Sequence, residues 1–365
     1  MLTLDEARER LFARLTPLDG ETIGLAEAAG RVLVEPRVVA AVDVPAFANS
    51  AMDGYAVRAA DTPGRLRLVG EVTAGMASPP SVAPGTAVRI MTGAPIPPGA
   101  DAVVPVEVAT EADAGVQVAR ARTGDHVRAA AHDTRTGDDV CLEGALTPAR
   151  LAVLATLGMG TVEVRRRPVV AILSTGDELV EPGTALGPHQ VHDANGIALA
   201  AAVREAGGDP LLLPRVGDDA AAIERVVLDA AGRADLLVTS AGVSVGRHDH
   251  VRGVLEASGS LDFWRIAIQP GKPLAVGELG GTTLIGLPGN PVSALVVFEL
   301  VVRPAIRRLL GLAGDGRVHL QAVAEERIGK DAPRRAFLRV RLTADLRARP
   351  AGGQGSSQLR PMAAA

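Results

Sequence analysis

The amino-acid sequence predicts an α/β protein with additional β-rich regions, in which a doubly wound and mainly parallel sheet forms the central part. Three observations support this fold class. Between residues 165 and 312, apolar strand-like runs alternate with helical patterns, which is typical of a parallel sheet covered by helices on both faces. From about residue 35 to residue 144, short β-branched runs are interrupted by Gly and Pro. A β pattern returns after Gly311.

Composition limits the classes of protein to which the chain can belong. Its 365 residues are too many for one ordinary core, so we expect about two to four domains. Aromatic residues make up only 2% and the formal net charge is −4, which argues against base-stacking platforms and basic nucleic-acid surfaces. The one cysteine, Cys141, excludes an intrachain disulfide and a cysteine-cluster metal site. The charged N-terminus and the lack of a long apolar stretch predict a cytoplasmic protein without a membrane span.

The first element is a helix that begins after Thr3. Thr3 and Glu6 have the spacing of a capping box, and Pro17 is expected to end the helix. Its apolar face contains Ala7, Leu11 and Leu15.

A second helix is predicted after the β-rich region of residues 35 to 144. Thr147 followed by Pro148 is a strong helix start, because a capping side chain precedes a proline at the first helical position. The apolar run LAVLATL continues the pattern, and Gly158 is expected to end it.

The central region alternates strand and helix patterns. The predicted strands are VVAILS, PLLLPRV, DLLVTS and TTLIGL. The predicted helices are NGIALAAAVREAG ending at Gly207, DDAAAIERVVLDAAG, HDHVRGVLEAS and the long SALVVFELVVRPAIRRLL, which Pro304 is expected to bend or split. The later runs VHLQAVAEERI and RAFLRVRLTADL predict further strands.

Two glycine-containing loops each follow a predicted buried strand and precede a helical pattern. They are TSAGVSVGRHD, from Thr239 to Asp249, and GLPGNPVS, from Gly286 to Ser293. Glycine lets the backbone approach a ligand, and the N–H groups that open the following helix favour an anion. The candidate binding residues are Ser240, Gly242, Ser244, Gly246, Pro288, Gly289, Asn290, Pro291 and Ser293. The alternatives are a plain Gly/Ser loop and rigid helix-entry chemistry.

The segment VAILSTGDEL places polar and acidic residues at the end of another predicted strand. These candidates are Ser174, Thr175, Gly176, Asp177 and Glu178. Ligands of open parallel sheets bind outside the carboxyl ends of the strands, and carboxylates there can hold a hard divalent cation. An ordinary strand-to-loop exit would have similar turn residues, but acidic residues at two further strand ends, Asp218 and Asp249, favour a site.

Two cations lie in the segment WRIAIQPGKP. Lys272 stands between Gly271 and Pro273, so its position on the chain is rigid, and together with Arg265 it is a candidate for holding an oxyanion. The alternative is a solvated lysine in a turn. The histidines have no metal-ligand spacing on a predicted element; they include His126, His132, His189, His192, His248 and His250.

Taken together, six segments resemble the MoeA family, the molybdopterin molybdenumtransferases that include the E domain of gephyrin. They are NSAMDGYAVR, MTGAPIPPGADAVV, STGDEL, SAGVSVG, PGKP and GLPGNPVSA, in the family's order over nearly the whole chain. The resemblance implies a reaction in which adenylylated molybdopterin and molybdate are taken up, AMP is released and molybdenum remains on the dithiolene. It also implies a divalent cation, usually Mg²⁺.

The same resemblance implies an elongated homodimer of four-domain subunits. We expect a connecting domain from residues 1–43 and 139–164, a small β domain at 44–138, an α/β molybdopterin-binding domain at 165–312 and an incomplete C-terminal β-barrel-like domain at 313–365. The dimer is also expected because Asp53 and Thr92 have no evident local partner in the sequence, so a second subunit would complete their cleft.

Functional residues are carried over position by position. The family uses the positions of Asp53, Thr92, Asp133, Glu178, Asp218 or Asp219, Asp249, Pro288 and Pro291. We assign the cation to Glu178, Asp218 and Asp249, and the placing of molybdate to Arg265, Lys272 and Ser293. The chain departs from the family at Arg265 and Gln269, where lysine is more usual, and at Ala130 and Ala131, where the family is more basic.

Two other functions remain open at this stage. The chain could be a non-catalytic scaffold of the gephyrin E-domain type, against which the intact acidic cluster argues. It could instead be a molybdopterin adenylyltransferase, but that α/β domain alone would not need the flanking β regions. The adenylyltransferase and acceptor molybdoenzymes are expected as partners; nucleic acid and membranes are not.

Overall fold

The computed structural model describes residues 1–113, 115–241, 250–329 and 334–365, and the chain forms two compact units. The α/β unit contains Met1–Thr22, Gly30–Val34 and Glu163–Ala365, and the β unit contains Ile23–Ala29 and Glu35–Val162. The finer division into four domains stays a prediction. Among the described residues, no helix has the length and apolar character needed to cross a membrane.

The first two helices begin at the predicted caps. They are α1 (Leu4–Phe12) and α2 (Pro148–Thr156). The backbone N–H of Glu6 donates to Thr3 Oγ1 at 3.2 Å while the Glu6 carboxylate accepts from the Thr3 N–H at 2.8 Å, so the capping box is confirmed. Helix α1 ends at Phe12, earlier than Pro17 predicted, because tighter i→i−3 turns follow and bring Leu15 into the core.

The β unit is built from short strands, as predicted. Its central sheet has the order β7-β4-β6-β5-β9-β8, and apolar clusters cover both faces. The strands of the N-terminal half are β1 (Gly20–Gly24), β2 (Arg37–Val39), β3 (Asn49–Ser50), β4 (Gly54–Val57), β5 (Gly64–Val72), β6 (Thr86–Ile90), β7 (Ala102–Pro105), β8 (Ala109–Ala112), β9 (Gly115–Val118), β10 (Val127–Arg128), β11 (Asp139–Cys141) and β12 (Thr161–Arg165). Short 3₁₀ turns cover Leu25–Glu27, Ala59–Asp61 and Val106–Val108.

The α/β unit contains the predicted doubly wound sheet. Its strand order is β16-β13-β17-β21-β20-β18. The strands are β13 (Val169–Ser174), β14 (Leu179–Val180), β15 (Val191–His192), β16 (Asp209–Leu212), β17 (Leu236–Ser240), β18 (Gly259–Arg265), β19 (Ile268–Gln269), β20 (Pro273–Leu279) and β21 (Thr282–Leu287). Strands β16, β13, β17 and β21 run parallel, as predicted.

The two antiparallel strands at one side of the sheet, β20 and the edge strand β18, were not predicted from the sequence. Strand β20 returns as β21 through Gly280 and Gly281, which have φ values of 56° and 80°. Two residues with positive φ form the tight turn that suits a β-hairpin. The Gly-Gly pair was therefore the sequence signal for this hairpin.

Helices cover both faces of the sheet. They are α3 (Ala194–Ala206), α4 (Ala220–Ala231), α5 (His250–Ser258), α6 (Pro291–Val297) and α7 (Arg303–Leu309). Alternate residues of each strand pack on opposite faces: Val170 and Ile172 contact the cluster of α1, α3, α6 and α7, whereas Ala171 and Leu173 contact the cluster of α4 and α5. This arrangement confirms the fold class.

The long helical segment after β21 is interrupted, as Pro304 predicted. A π-helical turn, Phe298–Val302, separates α6 from α7. Proline has no N–H and its ring clashes with the carbonyl four residues earlier, here that of Leu300. This carbonyl accepts instead from Arg8 Nε of α1 at 2.6 Å, so the interruption also fixes α1 to the unit.

The C-terminal region has the predicted β character, but its strands are shorter than the sequence runs suggested. They are β22 (Val323–Ala324), β23 (Arg335–Ala336), β24 (Val340–Leu342) and β25 (Arg347–Pro350), followed by α8 (Leu359–Ala363). Strand β23 pairs with β19, where the N–H of Phe337 donates to the Gln269 carbonyl at 2.8 Å. This pairing places the C-terminal region beside the segment that carries Lys272.

Candidate functional site

A cavity of about 500 Å³ lies at the carboxyl ends of the parallel strands β13, β17 and β21. Sheet pairing sets Ser174 opposite Ser240 and Ser240 opposite Leu287, so the three strands end at one level. The lining residues are Thr175, Glu178, Leu179, Val191, His192, Asp193, Ala194, Asn195, Ser240, Ala241, Pro273, Pro288, Gly289, Asn290 and Pro291. This strand-end cavity therefore brings together candidates from all three strand ends.

The exit from β13 holds Glu178 in place. Ser174 and Thr175 are buried, and the N–H of Thr175 donates to the Ser240 carbonyl at 3.3 Å. Gly176 has φ 142°, and a Cβ there would lie 2.5 Å from Glu178 Oε2. Only glycine combines this backbone conformation with that close approach. The Gly-Asp-Glu turn thus presents the Glu178 carboxylate to the strand-end cavity.

The structure distinguishes Asp218 from Asp219. Asp219 caps α4, since its Oδ1 accepts from the N–H groups of Ala221 at 2.9 Å and Ala222 at 3.4 Å. The N–H of Asp218 donates to Asp177 Oδ1 at 3.1 Å. Among the described residues, the Asp218 carboxylate has no hydrogen-bond or ion-pair partner. Asp219 therefore has a structural role. Asp218 is exposed and its carboxylate has no described partner, but Asp218 lies outside the lining of the strand-end cavity.

The predicted cation ligands are only partly described. Glu178 and Asp218 are exposed carboxylates, and oxygen ligands of this kind suit a hard divalent cation. The third candidate, Asp249, lies outside the described residues, as do Gly242, Ser244, Gly246 and His248. Within the described ranges, no three His, Cys, Asp or Glu side chains form a metal-binding group. The three-carboxylate set stays a prediction.

The start of α3 adds residues that the sequence analysis missed. Asp193 caps this helix by accepting from the Gly196 N–H at 2.9 Å, and the side-chain amide of Asn195 donates to Ser240 Oγ at 2.6 Å and to the Gly289 carbonyl at 2.8 Å. His192 also lines the cavity and donates through Nε2 to the Thr184 carbonyl at 2.9 Å. The Asp-x-x-Gly spacing was a sequence signal for the cap, but no sequence signal indicated the contacts of Asn195.

A second cavity, of about 590 Å³, lies beside the first and shares Pro273, Pro288 and Asn290 with it. We call it the Lys272 cavity. It is lined by Gln269, Pro270, Gly271, Lys272, Pro273, Pro288, Asn290, Ser293, Ile328, Gly329, Arg334, Ala336, Phe337, Leu338, Gln354, Gly355 and Ser356. The loop and the C-terminal region are joined here, because Asn290 Nδ2 donates to Ser356 Oγ at 3.0 Å.

The Lys272 cavity combines cations with hydroxyl groups. Lys272 is exposed, Arg334 is half-buried and Ser293 is 4% exposed. Gln269 Oε1 is buried and accepts no hydrogen bond from the described residues. Arg334 and Ser356, which were not predicted from the sequence, come from the C-terminal region. The pairing of β19 with β23 and the contacts of Ser356 with Asn290 and Val292 bring this region to Lys272.

Arg265 lies away from the two cavities, so the structure gives its predicted role in oxyanion binding no support. It ends β18, its side chain is exposed, and it is absent from the described lining of both cavities. Its backbone carbonyl accepts from the Leu2 N–H at 3.2 Å. Lys272, on the adjacent turn, is the cation of this segment that faces a cavity.

The candidates in the β unit have local partners, which corrects the expectation for Asp53 and Thr92. Asp53 Oδ1 accepts from the N–H of Thr92 at 2.6 Å and from its Oγ1 at 2.7 Å. These hydrogen bonds, the backbone one first, lower the pKa of Asp53. Asp133 is exposed, and its Oδ2 accepts from Thr134 Oγ1 at 3.3 Å.

Family models match three consecutive parts of the chain. Residues 2–158 match the MoeA N-terminal region (domain I and II), residues 171–308 match a probable molybdopterin binding domain, and residues 321–365 match the MoeA C-terminal region (domain IV). Together these matches extend over nearly the whole sequence.

The similar proteins are described as molybdopterin molybdenumtransferases or as a molybdopterin biosynthesis MoeA protein. Molybdopterin molybdenumtransferase 2 of Mycobacterium tuberculosis is 42% identical over 337 residues, which is 87% of this chain and 82% of the relative. Molybdopterin molybdenumtransferase of Haemophilus influenzae is 39% identical, and the match covers 98% of this chain and 91% of the relative. A crystal structure of the molybdopterin biosynthesis MoeA protein from Pyrococcus horikoshii has a TM-score of 0.85 at 28% identity, covering 100% of this chain and 93% of that one.

Proposed function

We propose that this chain, which belongs to the MoeA family, is a molybdopterin molybdenumtransferase. It would convert adenylylated molybdopterin and molybdate into the molybdenum-bearing cofactor, with release of AMP. The observation that carries the proposal is the adjacency of two cavities in the α/β unit. One is lined by the Glu178 carboxylate and by the start of α3, which suit a divalent cation and a phosphorylated substrate, and the other is lined by cations that suit an oxyanion.

The strand-end cavity is the proposed site for the phosphate-bearing substrate. Ala194 and Asn195 begin α3 within its lining, where helix N–H groups favour negative charge. Ser240 and Thr175 supply hydroxyl groups to the lining. These groups would hold phosphate oxygens while the bond between phosphorus and the adenylyl group is exposed to attack.

The Lys272 cavity is the proposed site for molybdate. Lys272 and Arg334 supply positive charge, and Ser293 and Ser356 supply hydroxyl groups for the oxygens of a tetrahedral dianion. Arg334 replaces Arg265 in our assignment, because Arg265 lies outside this lining. The shared wall of Pro288 and Asn290 would place the oxyanion next to the substrate in the strand-end cavity.

The chemistry of the donor set fits Mg²⁺ at Glu178 and Asp218, with Asp249 as the third proposed ligand. Such a cation would neutralise charge on the phosphoanhydride as AMP leaves. No side-chain nucleophile is needed if molybdate or water attacks the phosphorus. The segments that carry Glu178 and Asp218 are joined by two hydrogen bonds. The Gly176 N–H donates to the Val216 carbonyl at 3.2 Å, and Asp177 Oδ1 accepts from the Asp218 N–H at 3.1 Å.

Three further expectations complete the proposal. The protein is a homodimer, it acts in the cytoplasm, and its partners include the molybdopterin adenylyltransferase and the acceptor molybdoenzymes. Family membership is the support for the dimer. The argument from Asp53 and Thr92 does not hold, because these two residues hydrogen-bond to each other. Light scattering at micromolar concentration tests it, and a stable monomer would contradict it.

One assay separates the proposed activity from the two alternatives. The protein is incubated with adenylylated molybdopterin, Mg²⁺ and molybdate, and AMP is measured with time. We expect release that depends on molybdate. Adenylylation of molybdopterin from ATP would instead identify an adenylyltransferase, and inactivity in both assays would favour a scaffold.

A further inference from the structure

The geometry assigns Asn195 a role as a positioning residue for the Ser240 hydroxyl, which it fixes as a hydrogen-bond donor to an anionic group in the strand-end cavity. This inference rests on the proposed function and deepens it, because it identifies how one substrate contact is oriented. Asn195 acts through Ser240, and its second hydrogen bond, to the Gly289 carbonyl, fixes which end of the amide faces Ser240.

The orientation of the Asn195 amide follows from its two partners. Its nitrogen lies 2.8 Å from the Gly289 carbonyl oxygen, which can only accept a hydrogen bond. The carbonyl end of the amide would be repelled there, so the nitrogen must face Gly289. The same nitrogen lies 2.6 Å from Ser240 Oγ. Both amide hydrogens are therefore used, and Ser240 must be the acceptor in its contact with Asn195.

This contact determines what the Ser240 hydroxyl can do next. A serine hydroxyl has one hydrogen to donate and two lone pairs. Asn195 occupies a lone pair, and the hydrogen has no acceptor among the described residues. Ser240 is only 2% exposed but lines the cavity. A ligand oxygen in the cavity is thus the acceptor that would satisfy this hydrogen, and a phosphate oxygen would make the bond charge-assisted.

From the start of α3, the Asn195 side chain reaches the ends of two strands. Ser240 ends β17 and Gly289 follows β21, so one amide joins three separate segments around the cavity. A purely structural tie would also do this. The two roles differ in one respect: a positioning residue affects ligand binding only while the Ser240 hydroxyl is present, whereas a structural tie affects it in either case.

A double-mutant cycle distinguishes the two roles. Asn195→Ala, Ser240→Ala and the double variant are compared with the unaltered protein by the KM for adenylylated molybdopterin and by calorimetric binding of AMP. We expect Asn195→Ala to raise the KM about tenfold with Ser240 present and less than about twofold in the Ser240→Ala background. Equal effects in both backgrounds would overturn the positioning role.

A matched control comes from the other asparagine tie. Asn290 donates to Ser356 Oγ, as Asn195 donates to Ser240 Oγ. The effect of Asn290→Ala should be the same whether residue 240 is serine or alanine. If Ser240→Ala does not fold, Ser240→Cys provides the second background, since a thiol donates weakly.

The outcome for Asn195 is separable from that of the proposed function. Absence of molybdate-dependent AMP release from the unaltered protein would reject the proposed function, and the inference with it. Normal release together with additive effects of the Asn195 and Ser240 variants would reject the inference alone.

Discussion

Acidic residues in the two units have different surroundings, although the sequence analysis selected both groups as site residues. In the β unit, the Asp53 carboxylate accepts two hydrogen bonds from Thr92. In the α/β unit, the Asp218 carboxylate has no partner among the described residues, and Glu178 lines the strand-end cavity. A carboxylate without internal partners is available for a cation or substrate, whereas a hydrogen-bonded one is held in the fold.

The β unit contains the same arrangement a second time. Asp43 Oδ1 accepts from the N–H and the Oγ1 of Thr136, both at 2.7 Å, and these bonds lower the pKa of Asp43. The repetition indicates that Asp–Thr pairs stabilise loops of this unit. An acidic residue within a motif is thus a stronger candidate ligand when its carboxylate accepts no hydrogen bond within the fold.

The largest effect should come from Asp218→Asn, with Asp219→Asn as its control. Loss of the Asp218 charge at the proposed cation site should lower the rate of AMP release by about a hundredfold or more, since metal-assisted charge stabilisation contributes several kcal/mol. Asparagine caps helices as well as aspartate does, so Asp219→Asn should leave the rate and the Tm nearly unchanged. Equal rates for the two variants would remove Asp218 from the site.

A smaller effect is expected at the molybdate site. Lys272→Ala should raise the molybdate concentration for half-maximal AMP release by about tenfold to a hundredfold, because a cation near a dianion is lost. Arg265→Ala should change it little, since Arg265 does not line the Lys272 cavity. A larger effect at Arg265 than at Lys272 would show that the oxyanion binds elsewhere.

Adding a cation should have the opposite effect. Gln269 lines the Lys272 cavity, and its buried Oε1 has no hydrogen-bond partner among the described residues. Gln269→Lys should tighten molybdate binding by roughly tenfold at low salt, and by less at high salt because the added charge is screened. The half-saturation constants at two salt concentrations provide the measurement, and an unchanged value at low salt would contradict the prediction.

The smallest effect concerns stability and tests the structural role of Asp53. Its folded-state pKa is lowered below the ordinary value of 3.8, so its stabilising contribution is present above pH 3.8 and is lost as the pH falls through the folded-state value. Thr92→Val removes the side-chain donor and should lower the Tm slightly at pH 7, with a difference from the unaltered protein that shrinks below pH 3.8. A constant difference down to pH 2 would contradict this account.

Local sequence signals predicted much of the fold. The caps at Thr3 and Thr147 were confirmed because they depend on neighbours only three residues away. The parallel strands followed from apolar runs, whereas β18 and β20 were missed because their Gly280-Gly281 turn was not interpreted as a hairpin.

The site was less predictable, because its contacts join distant parts of the chain. Asn195 is 45 residues from Ser240 and 94 from Gly289. Arg334 is 62 residues from Lys272 in sequence and lines the same cavity because β23 pairs with β19. Local patterns identified residue types at strand ends, but they did not indicate which side chains were already satisfied by a partner.

The most direct test of the proposed transfer is the ratio of molybdenum retained on the pterin to AMP released in a single turnover. Adenylylated molybdopterin, molybdate and Mg²⁺ are mixed with excess protein, and both products are measured in the same sample. The account predicts about one molybdenum for each AMP, as expected when cleavage and insertion are coupled at adjacent cavities. AMP released at the same rate without molybdate, or without molybdenum on the pterin, would contradict it.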